Sequence, residues 1–287
     1  MSQIVYLNGQ FSPIAEAKIS VLDRGFIFGD GVYEIIPVYS RHPFRLDEHL
    51  RRLQASLDSI RLPNPYSDTN WTTLISALIE KNTDEDQSVY LHITRGVAPR
   101  DHAFPANTPA TVFMMSNPLV TSTRAQCEAG VAAVSHDDNR WGRCDIKAIA
   151  LLPNVLLRQL AVDVGAVETV LFRDGFLTEG AASNIFAVKK GVILAPPKDH
   201  HMLAGITYDL VLELAEAHKI PVEVRKLTEA RVRAADELWI TSSTKEVMPI
   251  VQLDGKPIGK GKPSAVFWQM FELYQAYKQQ VMRHGSS

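Results

Sequence analysis

Cysteine is scarce in this chain: Cys127 and Cys144 are the only two in 287 residues. Two thiols make no disulfide framework, and a chain of this length can hold a core without one. No Cys/His spacing matches a structural zinc site, so no metal is expected. Long apolar runs are also missing, and none approaches the ~20 residues that a membrane-crossing helix needs. The opening MSQIVYLNGQ has no cationic stretch followed by an apolar one, so no secretory signal is expected and the cytoplasm is the expected compartment. Neither sign of charge dominates: 30 Lys and Arg stand against 32 Asp and Glu, a formal net charge of -2. That balance excludes a broad basic surface for nucleic acid and a polybasic membrane signal. The glycine-rich GFIFGDG lacks the lysine of a P-loop. There is no long internal repeat, low-complexity tract or heptad run.

What is present is an ordinary globular composition, 46% hydrophobic and 22% charged, enough for one large domain or two modest ones. Residues 3–21 read as strands, turned by Asn8-Gly9. A glycine-rich loop then leads into the β-rich EIIPVY. Leu46, Leu50, Leu53, Leu57 and Ile60 follow a helical spacing that Pro63-Asn64-Pro65 ends, with Asp47 near the start to cap it or complement its dipole. Trp71–Lys81 reads as a second helix, with Ser67 or Asp68 as its cap. Strands are expected over Ser88–Arg95 and Thr111–Met115, and the intervening RGVAPRDHAFP is a loop. Composition places a small N-terminal domain over residues 1–118, a linker over 119–125 and a larger domain over 126–287. In the larger domain helices are expected at 153–164, from about Thr207, and at 264–282; strands are expected at 130–135, 167–172, 185–188 and on either side of SSTK. Trp268, Phe271 and Tyr274 read as core.

Single polar residues say little by spacing alone. Lys147 precedes an apolar segment as many surface lysines do, and Arg52 lies off its helix's apolar stripe like a solvated charge. Arg100 and His102 read as surface groups, Thr207 as a helix cap, and Ser242-Ser243-Thr244 as a solvated turn. Chemistry offers a second meaning. A lysine amine can form a Schiff base with an aldehyde cofactor, and a carboxylate such as Glu179 can hold the proton on a pyridine nitrogen. Backbone amides at a helix start can hold a phosphate.

The ordered runs DRGFIFGDGVYE, DIKAIALLPNVL, LTEGAASNIF, LAGIT and SSTKEVMPI cover most of the chain. Together they resemble the fold-type IV pyridoxal-phosphate enzymes, which include D-amino acid transaminases, branched-chain transaminases and aminodeoxychorismate lyases. The resemblance implies an α/β (α+β type) two-domain fold with a smaller N-terminal α/β domain and a larger C-terminal pseudo-barrel β domain with helices. It implies that Lys147 carries pyridoxal 5'-phosphate as a Schiff base and then moves the substrate α-proton, with burial and nearby positive charge keeping its amine unprotonated. Glu179 would face the ring nitrogen, Leu203 would pack on the ring, and Arg52, Ile206, Thr207, Ser243 and Thr244 would hold the phosphate. Ser183 and Asn184 keep the family pattern, while Ala181 and Ala182 replace serines common in relatives.

The Arg-Asp-His spacing at 100–102 resembles the loop of D-amino acid transaminases, which implies that Tyr33, Arg100 and His102 bind the substrate α-carboxylate. An arginine fork suits that group, since it donates two parallel hydrogen bonds. The implied reaction is transamination of D-amino acids, D-alanine with 2-oxoglutarate giving pyruvate and D-glutamate. The alternatives are a branched-chain L-amino acid aminotransferase, an aminodeoxychorismate lyase, and a protein that keeps the fold without turnover. Pro37 stands where relatives can carry a lysine, which bears on side-chain preference. The family implies a homodimer with the N-terminal loop able to reach across from the partner.

Overall fold

The computed structural model describes residues 3–285, which divide into two compact units. One comprises the chain up to Val120, the segment Ile146–Leu151 and the chain from Gln279 onward; the other comprises Thr121–Asp145 and Leu152–Lys278. This α/β, two-unit organisation is the fold class expected. The first unit is discontinuous in sequence, since Ile146–Leu151 and the chain from Gln279 pack with it.

The first unit is an antiparallel sheet covered by two helices. Its elements are β1 (Ile4–Leu7), β2 (Gln10–Pro13), α1 (Arg24–Phe28), β3 (Gly31–Tyr39), β4 (His42–Pro43), α2 (Leu46–Ser59), α3 (Asp68–Lys81), β5 (Gln87–Thr94) and β6 (Thr111–Pro118). The strand order is β2-β1-β6-β5-β3-β4. Alternation decides the faces: Val32, Ile36 and Val38 of β3 join Val89, Leu91 and Ile93 of β5 in the core. Against them lie Leu50, Leu53 and Leu57 of α2 and Trp71, Ile75 and Leu78 of α3. Ser67 caps α3 by accepting from the Asn70 N–H. Asp47 lies inside the first turn of α2 and does not cap it; the cap position is Arg45, in the left-handed region. The expected strand run to residue 21 stops at Pro13. The glycine-rich loop contains α1, which Asp23 caps and left-handed Gly29 ends.

Ile146 explains why its segment belongs here, since its side chain joins the same core. The Tyr33 N–H donates to the Lys147 carbonyl at 3.0 Å, and the Ile149 N–H donates to that of Gly31 at 3.1 Å. The segment therefore runs along β3 as an added, irregular strand.

The second unit carries α4 (Arg124–Ala129), β7 (Val131–Asp137), α5 (Leu152–Asp163), β8 (Glu168–Arg173), β9 (Phe176–Gly180), β10 (Asn184–Lys189), β11 (Val192–Ala195), α6 (Ile206–Ala217), β12 (Val222–Val224), α7 (Glu229–Arg233), β13 (Glu237–Ser242), β14 (Glu246–Leu253), β15 (Lys256–Pro257) and most of α8 (Ala265–Gln280). Its nine-stranded mixed sheet follows β12-β11-β10-β13-β14-β7-β8-β9, with β15 on β14. The central strands are nearly continuous apolar runs because both of their faces are buried. Phe186 stacks on Tyr208 of α6 at 4.8 Å, and Trp239 meets Phe267 of α8 edge to face. Phe271 and Tyr274 are core residues as expected, while Trp268 is half-buried. Among the described residues no helix is long and apolar enough to cross a membrane, and no cluster could hold a metal.

Candidate active site

The first unit fixes Lys147 through its backbone. The Lys147 N–H donates to Ser56 Oγ at 3.2 Å, and its carbonyl is held by β3. Its Nζ lies 4.2 Å from the centre of the Tyr33 ring, which brings two of the expected site residues together. On the opposite face of β3 the neighbouring Glu34 is fully buried. It accepts from Arg52 Nε at 2.7 Å and Nη2 at 2.8 Å, and pairs with His49 Nδ1 at 2.8 Å. Burial would raise the Glu34 carboxyl, but Arg52 and His49 outweigh it and hold the group far below the usual carboxylate range. His49 is pulled down by burial against Glu34's opposition, and its Nε2 is buried without a hydrogen-bond partner. Arg52 is thus not the solvated charge that its helical position suggested: two of its nitrogens form a bidentate pair on β3.

The second unit gathers another group around Asn184. Its Nδ2 donates to the Leu203 carbonyl at 2.9 Å and to Glu179 Oε2 at 3.3 Å. Its backbone stands opposite Thr241 in the β10–β13 ladder. Its Oδ1 lies where a Cβ on Gly205 would sit, so a larger residue at the start of α6 would have to push the Asn184 amide aside. Gly205 is the cap residue of α6 and supplies no side-chain cap, which leaves the N-terminal amides of Ile206 and Thr207 to other acceptors. Thr207 is therefore the second residue of the helix and not its cap. Thr241 Oγ1 is buried without a partner, and β13 leads from it into the Ser243-Thr244 turn. Gly205→Ala is expected to displace Asn184 and weaken cofactor retention by roughly tenfold, measured as the dissociation constant in a fluorescence titration. An unchanged constant would remove α6 from the phosphate site.

Glu179 lies within β9 although TEGA has little strand propensity, because pairing with β8 overrides it. Its carboxylate accepts from Arg140 Nη1 at 2.5 Å and from the Leu203 N–H at 3.2 Å. Arg140 is itself held by Asp138 through two bonds of 2.9 Å. Burial pushes Glu179 up to about 7 even with the guanidinium beside it. Asp138 stays below its ordinary range, because Arg140 outweighs its burial. Ser183 is committed elsewhere: its hydroxyl donates to buried Glu168 at 2.7 Å, which also lies 3.8 Å from Lys245. Asp138, Arg140, Glu34 and Glu168 were not anticipated. The only signal for the first two was a polar run of both signs, HDDNR, after a strand, and many solvated turns share it.

Arg100 and His102 sit in the irregular stretch after β5, both exposed. They are in the same unit as Tyr33 and Lys147.

Residues 31–253 match the family model for class IV amino-transferases. The chain belongs to this family. This class IV aminotransferase is 37% identical to a D-alanine aminotransferase of Staphylococcus epidermidis over 96% of its own length and 98% of the relative's. It is 39% identical to a D-alanine aminotransferase of Bacillus licheniformis, over 90% and 91%. Its fold is similar to that of the T.th. branched-chain amino acid aminotransferase with pyridoxamine 5'-phosphate, with a TM-score of 0.90, 26% identity, and coverage of 100% and 96%. The aminotransferase is accordingly a fold-type IV enzyme that uses pyridoxal phosphate for transamination.

The residues present fit that cofactor. The uncapped first amides of α6, the unpartnered Thr241 hydroxyl and the Ser243-Thr244 turn offer donors suited to a phosphate. Glu179 is a buried carboxylate of the kind that could face a pyridinium, and Lys147 carries an amine of the kind that takes up an aldehyde.

Proposed function

We propose that this aminotransferase acts on D-amino acids, with D-alanine and 2-oxoglutarate as the leading pair. The observation that carries the reading is the Arg100-Asp101-His102 spacing, with both basic side chains exposed in the loop after β5. Relatives named D-alanine aminotransferase, at 37–39% identity over nearly the whole chain, support it. The branched-chain L reading draws on solved structures of lower identity, 26% for the T.th. enzyme.

Pyridoxal phosphate, when bound, supplies the electron sink for charge developed at the substrate α-carbon. Lys147 is its covalent anchor and, once released, the base that carries the α-proton. Ser56 and β3 hold the lysine backbone still while the amine moves. Glu179 keeps a negative oxygen for the ring nitrogen, with Arg140, Asn184 and the Leu203 amide holding it in place. Ile206, Thr207, Ser243 and Thr244 would hold the phosphate, a role the resemblance also gives to Arg52, whose fork Glu34 orients. Leu203 offers its side chain to the ring face. Tyr33, Arg100 and His102 receive the α-carboxylate: one cation fork, one imidazole and one neutral hydroxyl.

Homodimer formation and a cytoplasmic setting belong to the same reading. Leu152, Val155, Leu156 and Leu160 make an exposed apolar stripe on α5 at helical spacing, as a second copy would cover. Both cysteines are free and buried, as suits a reducing compartment. A sedimentation measurement giving one chain per particle would count against the dimer.

The deciding experiment is a matched series of D- and L-amino acids with 2-oxoglutarate and added pyridoxal phosphate. D-Alanine is expected to be turned over at least about a hundredfold faster than L-leucine by kcat/KM. A preference for L-leucine would replace this reading with the branched-chain one.

A further inference from the structure

The fifteen residues from Gly96 to Ala110 contain no helix and no strand, yet Arg100 and His102 lie in their middle. A loop of this length, left free, would spread those two side chains over many positions. Two residues of α1 restrain it. Arg24 is buried, 3% exposed, although it is a charged residue next to a surface loop. Its Nη1 donates to the Asp101 carbonyl at 2.5 Å and to the Ala103 carbonyl at 3.3 Å, and its Nη2 reaches the His102 carbonyl at 3.5 Å. Three successive carbonyls therefore face one guanidinium. Asp30 holds that guanidinium through Nε at 2.8 Å and is itself gripped by Arg95 at 2.8 and 3.0 Å. The planar Arg24 fork cannot turn away without breaking both sets of bonds.

Phe28, one helical turn on from Arg24, meets the side chains. Its ring centre is 5.3 Å from that of His102 and 5.5 Å from the Arg100 guanidinium carbon, with Arg24 itself at 4.9 Å. A flat aromatic surface beside a guanidinium and an imidazole narrows their rotamers while leaving their N–H edges available to a ligand. Farther along, Phe104 lies on Arg95 at 3.7 Å and on Arg61 at 4.8 Å, which ties the loop's far side to the same base.

We propose that Arg24 and Phe28 are positioning residues for the substrate α-carboxylate. Arg24 fixes the backbone of residues 101–103, and Phe28 fixes the side chains of Arg100 and His102. The restraint is in place before substrate arrives, so binding does not have to order the loop. This inference rests on the carboxylate reading of Arg100 and His102 given above.

The test uses the holoenzyme and four variants, Phe28→Ala, Phe28→Tyr, Arg24→Gln and Arg100→Ala, with D-alanine and with D-alaninamide, which lacks the anionic carboxylate. Phe28→Ala is expected to raise KM for D-alanine roughly fivefold with kcat within about twofold, to leave KM for D-alaninamide unchanged, and to be rescued by Phe28→Tyr. Arg24→Gln is expected to raise KM for D-alanine on the order of tenfold and to speed amide hydrogen exchange across residues 97–106, a readout independent of turnover. If Arg100→Ala raises KM for D-alanine selectively while Phe28→Ala does not, the positioning role is wrong and the carboxylate reading stands. If Arg100→Ala shows no such selectivity, both are wrong. Equal losses on both substrates in Phe28→Ala would also overturn the inference. Should Arg24→Gln fail to fold, Phe28→Ala and its tyrosine rescue decide alone.

Discussion

Lys147→Ala is expected to abolish multiple turnover, with a loss of at least about a thousandfold, while the protein folds as before. The loss follows from the proposed role, which gives one nitrogen two tasks, covalent attachment and proton transfer at the α-carbon. Acid–base assistance by a placed side chain alone is worth roughly 10²–10⁴ in rate, and losing the covalent anchor adds to it. Folding is spared because Lys147 is held by its main chain: Ser56 Oγ accepts from its N–H, and Tyr33 donates to its carbonyl. An alanine keeps both bonds. Ile146, which anchors the segment in the core, is untouched. The measurements are steady-state transamination of D-alanine, the visible absorbance of the loaded protein with its bleaching by borohydride, and the urea midpoint. The variant should lose turnover and the borohydride-sensitive band and keep its midpoint. Sustained turnover would remove Lys147 from the chemistry; a collapsed midpoint would show that the side chain serves the fold.

Parts of this site are easier to read from sequence than others, for physical reasons. Local spacing reports one face of one element, so the Leu46-to-Leu57 stripe could be read directly and the cap of α3 narrowed to Ser67 or Asp68. Arg52 lies off that stripe, and only the buried β3 carboxylate opposite it draws it into a bidentate pair. Ile146–Leu151 looks like a lead-in to α5, and long-range pairing with β3 assigns it to the other unit. Glu179 sits among small residues that favour a turn, and β8 draws it into the sheet. In each case a contact distant in sequence overrides the local preference, which is where propensity has least to say. The motif runs carried what spacing could not, because five in order constrain the whole chain at once. They still gave no hint of Asp138 and Arg140, which lie outside every run.

Arg140→Met is expected to cost about 3–5 kcal/mol of stability at pH 8 and distinctly less at pH 5. Removing one partner of a buried ion pair strands the other charge, which is the costly case. Here the stranded group is chiefly Glu179. Asp138 keeps Arg173 Nη2 at 3.2 Å and the Thr178 hydroxyl at 2.9 Å, so it remains partly compensated. Glu179 would keep only the Leu203 amide and Asn184. The pH dependence follows from its titration. With the folded carboxyl raised to about 7 from an ordinary 4.5, the folded protein holds a proton that the unfolded chain gives up. This group's contribution is therefore full below pH 4.5 and is lost as pH rises through 7. At pH 5 Glu179 is already largely neutral, so little is lost with Arg140; at pH 8 it is mostly ionised beside Arg140, and without the guanidinium it must either stay charged and unpaired or take up a proton, both at a cost in stability. Asp138 has the opposite sign, since its lowered carboxyl contributes above its unfolded value and is lost only in stronger acid. Urea unfolding of the cofactor-free protein at the two pH values, with Arg140→Lys alongside, measures the effect. Lysine restores the charge without the fork, so a partial rescue confined to pH 8 is expected. An equal loss at pH 5 and pH 8 would mean that Glu179 is ionised throughout, and that Arg140 holds it by packing and hydrogen bonds alone.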